Sequence, residues 1–288
     1  MTDSHSTRQQ TLFVHTGGIG DFLLACPAVA VLAREELVDL LGRRERLQLA
    51  VEADVAKAAY SLDAADFDSA FHTPSDRLKA FLAPYNRAIV WMRDEDGTLA
   101  ANLRACGVER VNTFPGLPPE DWKRSAAEYY AKCLGYTDPP PFRLKLAPLD
   151  APGDVIIHPG SGSARKNWPF ERFQAVAEAL QEQGLSVAWC AGPAELEQGM
   201  DPPGRPLQED SLVTLARRLA GARLYLGNDS GVTHLAAASG CPTVALFGPT
   251  NPAVWAPRGS NVHVIQAAPW PTTRDVLGVV HTRLSKIR

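Results

Sequence analysis

The chain has 288 residues, 45% hydrophobic and 21% charged, with a formal net charge of −3. That length suits one large domain or two of ordinary size, and the composition is that of a globular protein. The weak negative charge argues against broad nucleic-acid binding, which needs a basic surface, and no apolar run is long enough to span a bilayer as a helix.

The five cysteines (Cys26, Cys106, Cys133, Cys190 and Cys241) are odd in number and form no CxxC pair. Neither a disulfide framework nor a zinc site is therefore expected, and a reducing, cytoplasmic compartment fits. The opening MTDSHSTRQQ is polar and lacks the apolar segment of a secretory signal.

Strand-like and helix-like segments then alternate. A buried strand is predicted at 11–16 (TLFVHT), a flexible turn at 17–20 (GGIG), and a helix over 21–35. Pro27 can kink that helix or mark its first turns. Short strands are predicted at 46–51, 69–72 and 87–92, with helices near 53–60, 75–82, 97–105 and 121–134. Residues 135–152 break the rhythm with DPPP at 138–141 and lead into DAPGD, which reads as the approach to a domain boundary. The alternation restarts with a strand at 154–158, a helix at 170–183, a strand at 185–191 and a helix at 211–220. A strand at 222–227, a buried helix at 231–239 and a second buried strand follow. A short strand at 261–266 and a helix at 272–286 complete the chain.

Such alternation implies βαβ units and mostly parallel sheets. The expected division is a Rossmann-like domain at 1–150, a second at 151–270, and a C-terminal helix at 271–288 able to pack back on the first. In open sheets of this kind ligands bind beyond the carboxyl ends of the strands.

Three loops fall at such ends. The first, 15–21 (HTGGIGD), carries Gly18 and Gly20 of a dinucleotide fingerprint, but Leu23 occupies the third glycine position, so an NAD-dependent oxidoreductase is disfavoured. What remains is a glycine-rich turn delivering Asp21 to a helix start, where the helix dipole favours the ionised carboxylate. That carboxylate can accept a proton from a substrate hydroxyl, or it can simply cap the helix.

The second loop, 158–169 (HPGSGSARKNWP), combines glycines, serines, Arg165 and Lys166 into an anion-receiving turn that lacks P-loop spacing. A solvated basic loop is the plainer alternative. The third is the turn into the helix at 231–239. Asp229 and Ser230 are good N-cap residues, Gly231 leaves room for close approach, and the free N–H groups of the first turn suit phosphate. A purely structural cap, with His234 a satisfied core histidine, explains the same letters. Glu195 follows another strand end and can accept from a ribose or sugar hydroxyl; an exposed helix-start acid is the alternative.

Three stretches in this order, GGIGDFLLACPAVAVLA, HPGSGSARKNWPFERF and LYLGNDSGVTHLAAASGCPTVALFGPTNPAVWAP, cover about a quarter of the chain. Together they resemble glycosyltransferase family 9, the heptosyltransferases of lipopolysaccharide core assembly. The resemblance implies a GT-B architecture, two Rossmann-like domains facing each other across a cleft. The C-terminal half would hold a nucleotide-diphospho-sugar, ADP-heptose in most of the family, as co-substrate without a further cofactor. The N-terminal half would present the acceptor and the catalytic carboxylate.

By the resemblance, Asp21 is the general base and Lys166 the phosphate-binding lysine, with Ser161 at the preceding hydroxyl position. Asp229 is the sugar-hydroxyl ligand. Ser230, Gly231 and His234 meet the diphosphate and sugar, and Glu195 matches the nucleoside-binding acid more loosely. Gly18 and Gly20 belong to an acceptor-side loop. No metal is expected, because Lys166 and the helix terminus at 230–234 can stabilise the leaving group's charge. The implied partners are the nucleotide-sugar donor and a glycan or glycolipid acceptor, without nucleic acid. A lipid-linked acceptor would place the protein at the inner face of the cytoplasmic membrane. A transferase acting on another glycan or a small molecule, or a catalytically silent relative that binds nucleotide-sugars, are the competing readings.

Overall fold

The computed structural model of the chain describes residues 9–192, 195 and 199–286. By internal contacts the described residues divide into two compact units, 9–17, 25–120 and 127–140 in the first, and 18–24, 121–126 and 141–286 in the second. The division at Pro140 falls inside the DPPP stretch rather than near 150. Beyond it, Leu144 N–H donates to the Ala238 carbonyl at 2.8 Å and Arg143 Nη1 to that of Ala237 at 3.1 Å, which ties this segment to the second unit.

The first unit holds strands β1 (Gln10–His15), β2 (Leu37–Gly42), β3 (Ala58–Ser61), β4 (Arg87–Trp91) and β5 (Arg110–Thr113). All pairings are parallel, in the order β3-β2-β1-β4-β5. A parallel strand is covered on both faces, so it shows in sequence as a continuous apolar run. TLFVH in β1 and VDLLG in β2 are buried throughout. Asp39 is tolerated in β2 because its Oδ2 accepts from Tyr85 Oη at 2.9 Å and Gln10 Nε2 at 3.2 Å. The helices are α1 (Ile19–Leu32), α2 (Arg44–Glu52), α3 (Leu62–Ala65), α4 (Asp76–Leu82), α5 (Thr98–Ala105) and α6 (Ala126–Cys133). α1 is apolar on every side and accommodates Pro27 inside it; its first turn belongs to the second unit.

Several expectations fail in the first unit. Residues 46–51, predicted as a strand, form most of α2. The L-x-L spacing imitates period two, but Leu47 and Ala50 are buried one turn apart and the segment is rich in good helix formers. The strand beside β1 is instead β2, which the prediction left out. Residues 53–60, predicted helical, are a turn with Asp54 at φ 58° followed by β3. Residues 69–72, predicted as a strand, lie mostly in a 3-10 turn at Phe67–Phe71, where Ser69 Oγ bonds to the Asp66 carbonyl instead of entering a sheet. β5 is also absent from the prediction; only Val111 of its four residues is buried, as befits an edge strand.

The second unit holds β6 (Val155–His158), β7 (Val187–Trp189), β8 (Leu224–Asn228), β9 (Thr243–Phe247) and β10 (Val262–Gln266), again all parallel. Its helices are α7 (Phe170–Gln181), α8 (Leu212–Gly221), α9 (Gly231–Ala238), α10 (Pro252–Trp255) and α11 (Thr273–Ser285). α11 starts at a capping box between Thr272 and Asp275 and packs on α7 and β8, within this unit. It buries Val276, Val280 and Leu284, spaced one turn apart on one face, each worth roughly 1.5–3 kcal/mol. Among the described residues no helix is long and apolar enough to cross a membrane.

The strand order β10-β9-β8-β6-β7 locates the functional crevice. From β6 the chain crosses to β7 on one side, then returns to place β8 on the other. The connections after β6 and β8 therefore diverge, and the gap at their carboxyl ends is where doubly wound sheets bind ligands.

Candidate functional site

The loops leaving β6 and β8 are the second and third loops of the sequence reading, joined side by side by the pairing of Ile157 with Leu226 and His158 with Gly227. Lys166 ends a single 3-10 turn, Ala164–Lys166, and its Nζ lies 3.3 Å from Asp229 Oδ2. The lysine side chain is 30% exposed and the aspartate 9%, so the cation remains open to an incoming anion while the carboxylate is enclosed. The Asp229 N–H donates to the Leu246 carbonyl at 3.1 Å, which fixes the turn.

Ser230 is the N-cap of α9 and its Oγ accepts the Thr233 N–H at 3.3 Å. The first turn of α9 thus presents free N–H groups beside the lysine. Ser161 has a different orientation from the one expected of a phosphate ligand. Its Oγ is turned into its own loop, 2.7 Å from the Ser163 carbonyl and 2.6 Å from Asn167 Oδ1, and the residue is 3% exposed.

Gly18, Gly20 and Asp21 enter the same neighbourhood, because the first turn of α1 packs on the first turn of α9. Glycine makes this approach feasible from both sides. A Cβ on Gly231 would lie 2.8 Å from Ile19 Cβ, and one on Gly20 would lie 3.0 Å from His234 Cδ2. Asp21 Oδ2 accepts the Gly18 N–H at 2.9 Å, the reach-back of a capping carboxylate, while its Oδ1 has no hydrogen-bond partner among the described residues. The capping alternative for Asp21 is therefore realised, and it leaves one oxygen available.

His234 is 6% exposed and is where these charges converge. Burial lowers its pKa below the ordinary imidazole value; the carboxylates of Asp229 and Asp21 pull it up, and the Lys166 ammonium pushes it down again. The net direction is down, so the ring is neutral at neutral pH. Glu195 is buried as well, with Oε2 accepting the Gly192 N–H at 2.8 Å and Oε1 lying 3.4 Å from His158 Nε2. Burial raises its pKa, but the contact with His158 and the Gly192 N–H bond outweigh it and hold the carboxyl below its ordinary value. Among the described residues no three His, Cys, Asp or Glu side chains gather as a metal site.

Two residues of this site escape sequence reasoning. Asn228, fully buried at the end of β8, donates from Nδ2 to the Pro159 carbonyl at 2.6 Å and accepts the Trp168 N–H on Oδ1 at 2.9 Å. It therefore clamps both ends of the lysine-bearing loop. His158, the last residue of β6, contacts both Glu195 and Ser230, with its Nδ1 3.4 Å from Ser230 Oγ. The only signal for either is position, a polar side chain ending an otherwise apolar parallel strand.

Lipopolysaccharide heptosyltransferase 1 of Pseudomonas aeruginosa is 36% identical over 166 residues, covering 51% of this chain and 46% of that protein. The chain spans about half the length of the curated relatives it matches. Among solved structures, the Escherichia coli ADP-heptose LPS heptosyltransferase II superposes with a TM-score of 0.77 at 17% identity, covering 96% of this chain and 99% of that one. The E. coli heptosyltransferase WaaC with ADP gives a TM-score of 0.69 at 21% identity, covering 96% and 100%. These likenesses show the fold, the α/β GT-B class, which the two parallel five-stranded sheets express. Residues 98–276 match the family described as Glycosyltransferase family 9 (heptosyltransferase), more than half of the sequence. The chain belongs to glycosyltransferase family 9.

Proposed function

We propose that this protein is an inverting, metal-independent glycosyltransferase. It moves a heptose from a nucleotide-diphospho-sugar, ADP-heptose, to a lipopolysaccharide core or related glycan acceptor. The reading is carried by one observation: Lys166 Nζ lies 3.3 Å from Asp229 Oδ2 at the carboxyl ends of β6 and β8, where the turn that carries Asp21 packs on the first turn of α9. The names of the relatives support the donor and acceptor classes, and one solved relative holds ADP.

As the anomeric C–O bond breaks, negative charge grows on the diphosphate. Lys166 and the N–H groups of the first turn of α9 stabilise it. An incoming diphosphate competes with Asp229 for the ammonium and frees that carboxylate for sugar hydroxyls. Neutral His234 can hydrogen-bond the ligand without adding a charge. Asp21 takes the proton of the attacking acceptor hydroxyl on Oδ1, while the Gly18 N–H keeps its orientation through Oδ2. A single displacement from the face opposite the leaving group inverts the anomeric centre. Gly18 and Gly20 let the backbone beside Asp21 approach closely, and an acceptor built on a lipid locates the reaction at the inner face of the cytoplasmic membrane.

The test is Asp21→Ala, assayed by ADP release from ADP-heptose with a lipopolysaccharide-core acceptor. Transfer should fall by about 10²- to 10⁴-fold, the usual contribution of a general base, with ADP affinity changed only a few-fold. Near-normal turnover would remove Asp21 from the chemistry.

A further inference from the structure

His158, Glu195 and Ser230 form a buried chain of contacts that the proposed chemistry does not use. The three residues are 3%, 7% and 5% exposed. His158 Nε2 faces Glu195 Oε1 and Nδ1 faces Ser230 Oγ, both at 3.4 Å. Ser230 Oγ continues to Thr233 Oγ1 at 3.0 Å, and Thr233 Oγ1 to Tyr225 Oη at 3.1 Å and to the Asn228 carbonyl.

A neutral imidazole has one donor and one acceptor. The carboxylate can only accept, so Nε2 carries the hydrogen and Nδ1 accepts from the Ser230 hydroxyl. That assignment leaves the Ser230 lone pairs for the Thr233 N–H, which is the capping bond at the start of α9. Glu195 is further confined by Gly160, where any Cβ would collide with the Glu195 side chain.

We propose that His158 is a positioning residue that couples the two ends of one nucleoside-diphosphate ligand. On the donor reading, with Glu195 accepting from the ribose and Ser230 facing the diphosphate, His158 touches the residues of both ends at once. The proposal rests on the donor reading above. It adds that the two ends of the donor site are not independent: disordering one through His158 loosens the other. Losing a hydrogen bond to a charged group while burying its partner corresponds to a fold-change of about 10- to 100-fold in binding.

The test is calorimetric titration with ADP and with inorganic pyrophosphate, using wild type, His158→Phe, His158→Gln, Glu195→Gln and the double variant His158→Phe/Glu195→Gln. His158→Phe should weaken ADP by about 10- to 100-fold, and pyrophosphate by less, because pyrophosphate does not reach Glu195. His158→Gln keeps a donor near the Nε2 position and should recover part of the ADP affinity. Glu195→Gln should cost markedly less in the His158→Phe background than alone, since the contact is already gone. A general loosening of the fold would weaken both ligands alike and show no rescue; that result overturns the proposal, as do wild-type ADP affinity in His158→Phe or strictly additive losses. Failure of the wild type itself to bind ADP would refute the donor reading, and this inference with it.

Discussion

Gly231→Ala separates the geometry of the site from the stability of the fold. Gly231 is the first residue of α9, so alanine suits its backbone and gains up to about 1 kcal/mol of helix propensity. The new Cβ, however, would lie 2.8 Å from Ile19 Cβ and 3.4 Å from the Gly20 nitrogen, and ordinary contact begins at 3.4 Å. The first turn of α1 must therefore retreat by about 0.6 Å or more; overpacking of this kind costs roughly 1–3 kcal/mol. The propensity gain offsets part of that, and the net loss in unfolding free energy should be about 0–2 kcal/mol.

The effect on transfer should be larger. Asp21 lies in the turn that moves, and a misplacement near 1 Å can cost about 10²-fold in rate. Turnover should thus fall by about 10- to 100-fold, while ADP affinity shifts only a few-fold because the Cβ points at Ile19. The assays are ADP release at saturating acceptor, calorimetric ADP binding and urea unfolding. Gly278→Ala on the exposed face of α11, where a Cβ meets nothing within 4 Å, serves as control. It should stabilise by about 0.5–1 kcal/mol and leave transfer unchanged. Wild-type turnover in Gly231→Ala would refute the claim that the glycine contact sets the position of Asp21.

Three further outcomes follow from the same contacts. Lys166→Ala removes the cation 3.3 Å from a 9%-exposed carboxylate and should both weaken ADP binding and slow transfer, each by 10-fold or more on the order-of-magnitude scale of a charged contact; an unchanged affinity and rate excludes Lys166 from the site. Asn228→Ala strands the Pro159 carbonyl and the Trp168 N–H in the interior and should cost about 2–4 kcal/mol in urea unfolding; a loss well under 1 kcal/mol contradicts the clamp. For His234, the folded pKa is below the ordinary 6.5, so on acidification the unfolded chain takes up this proton first. The associated stability is present above 6.5 and lost as pH falls below it, by at most about 1.4 kcal/mol per pH unit. His234→Gln should flatten that part of the profile between pH 7.5 and 5.5; identical slopes in the two proteins would count against a buried neutral imidazole.

The second unit was readable nearly element by element; in the first, β1, α1, α4, β4 and α5 were readable, whereas β2, α2, β3 and β5 were not. β8 and β9 are buried along their whole length, so LYLGN and TVALF stand out as apolar runs of strand length. In the first unit, RLQLAV satisfied both a strand and a helix period, and the choice depended on LVDLLG already filling the place beside β1. Short apolar segments are ambiguous on their own because burial, which separates the two readings, is a property of neighbours.

The same division runs through the site. The placement of Lys166, Asp229, Ser230 and Gly231 at turns from strand to helix was legible, because glycine, small hydroxyls and a cation at such a turn are a local pattern written in adjacent letters. The role of Ser161 was not, since the direction of a hydroxyl depends on which acceptors surround it. Nor were Asn228 and His158, whose partners lie 37 to 72 positions away along the chain.

From letters alone came the α/β class, the parallel strands of the second unit and the placement of its loops at strand ends, all consequences of short-range periodicity and turn stereochemistry. Tertiary structure decided the strand order that brings the ends of β6 and β8 together, the glycine-to-glycine contact that carries Asp21 to His234, and the histidine that joins Glu195 to Ser230. Those depend on which distant surfaces exclude water from one another, a long-range outcome that spacing along the chain does not encode.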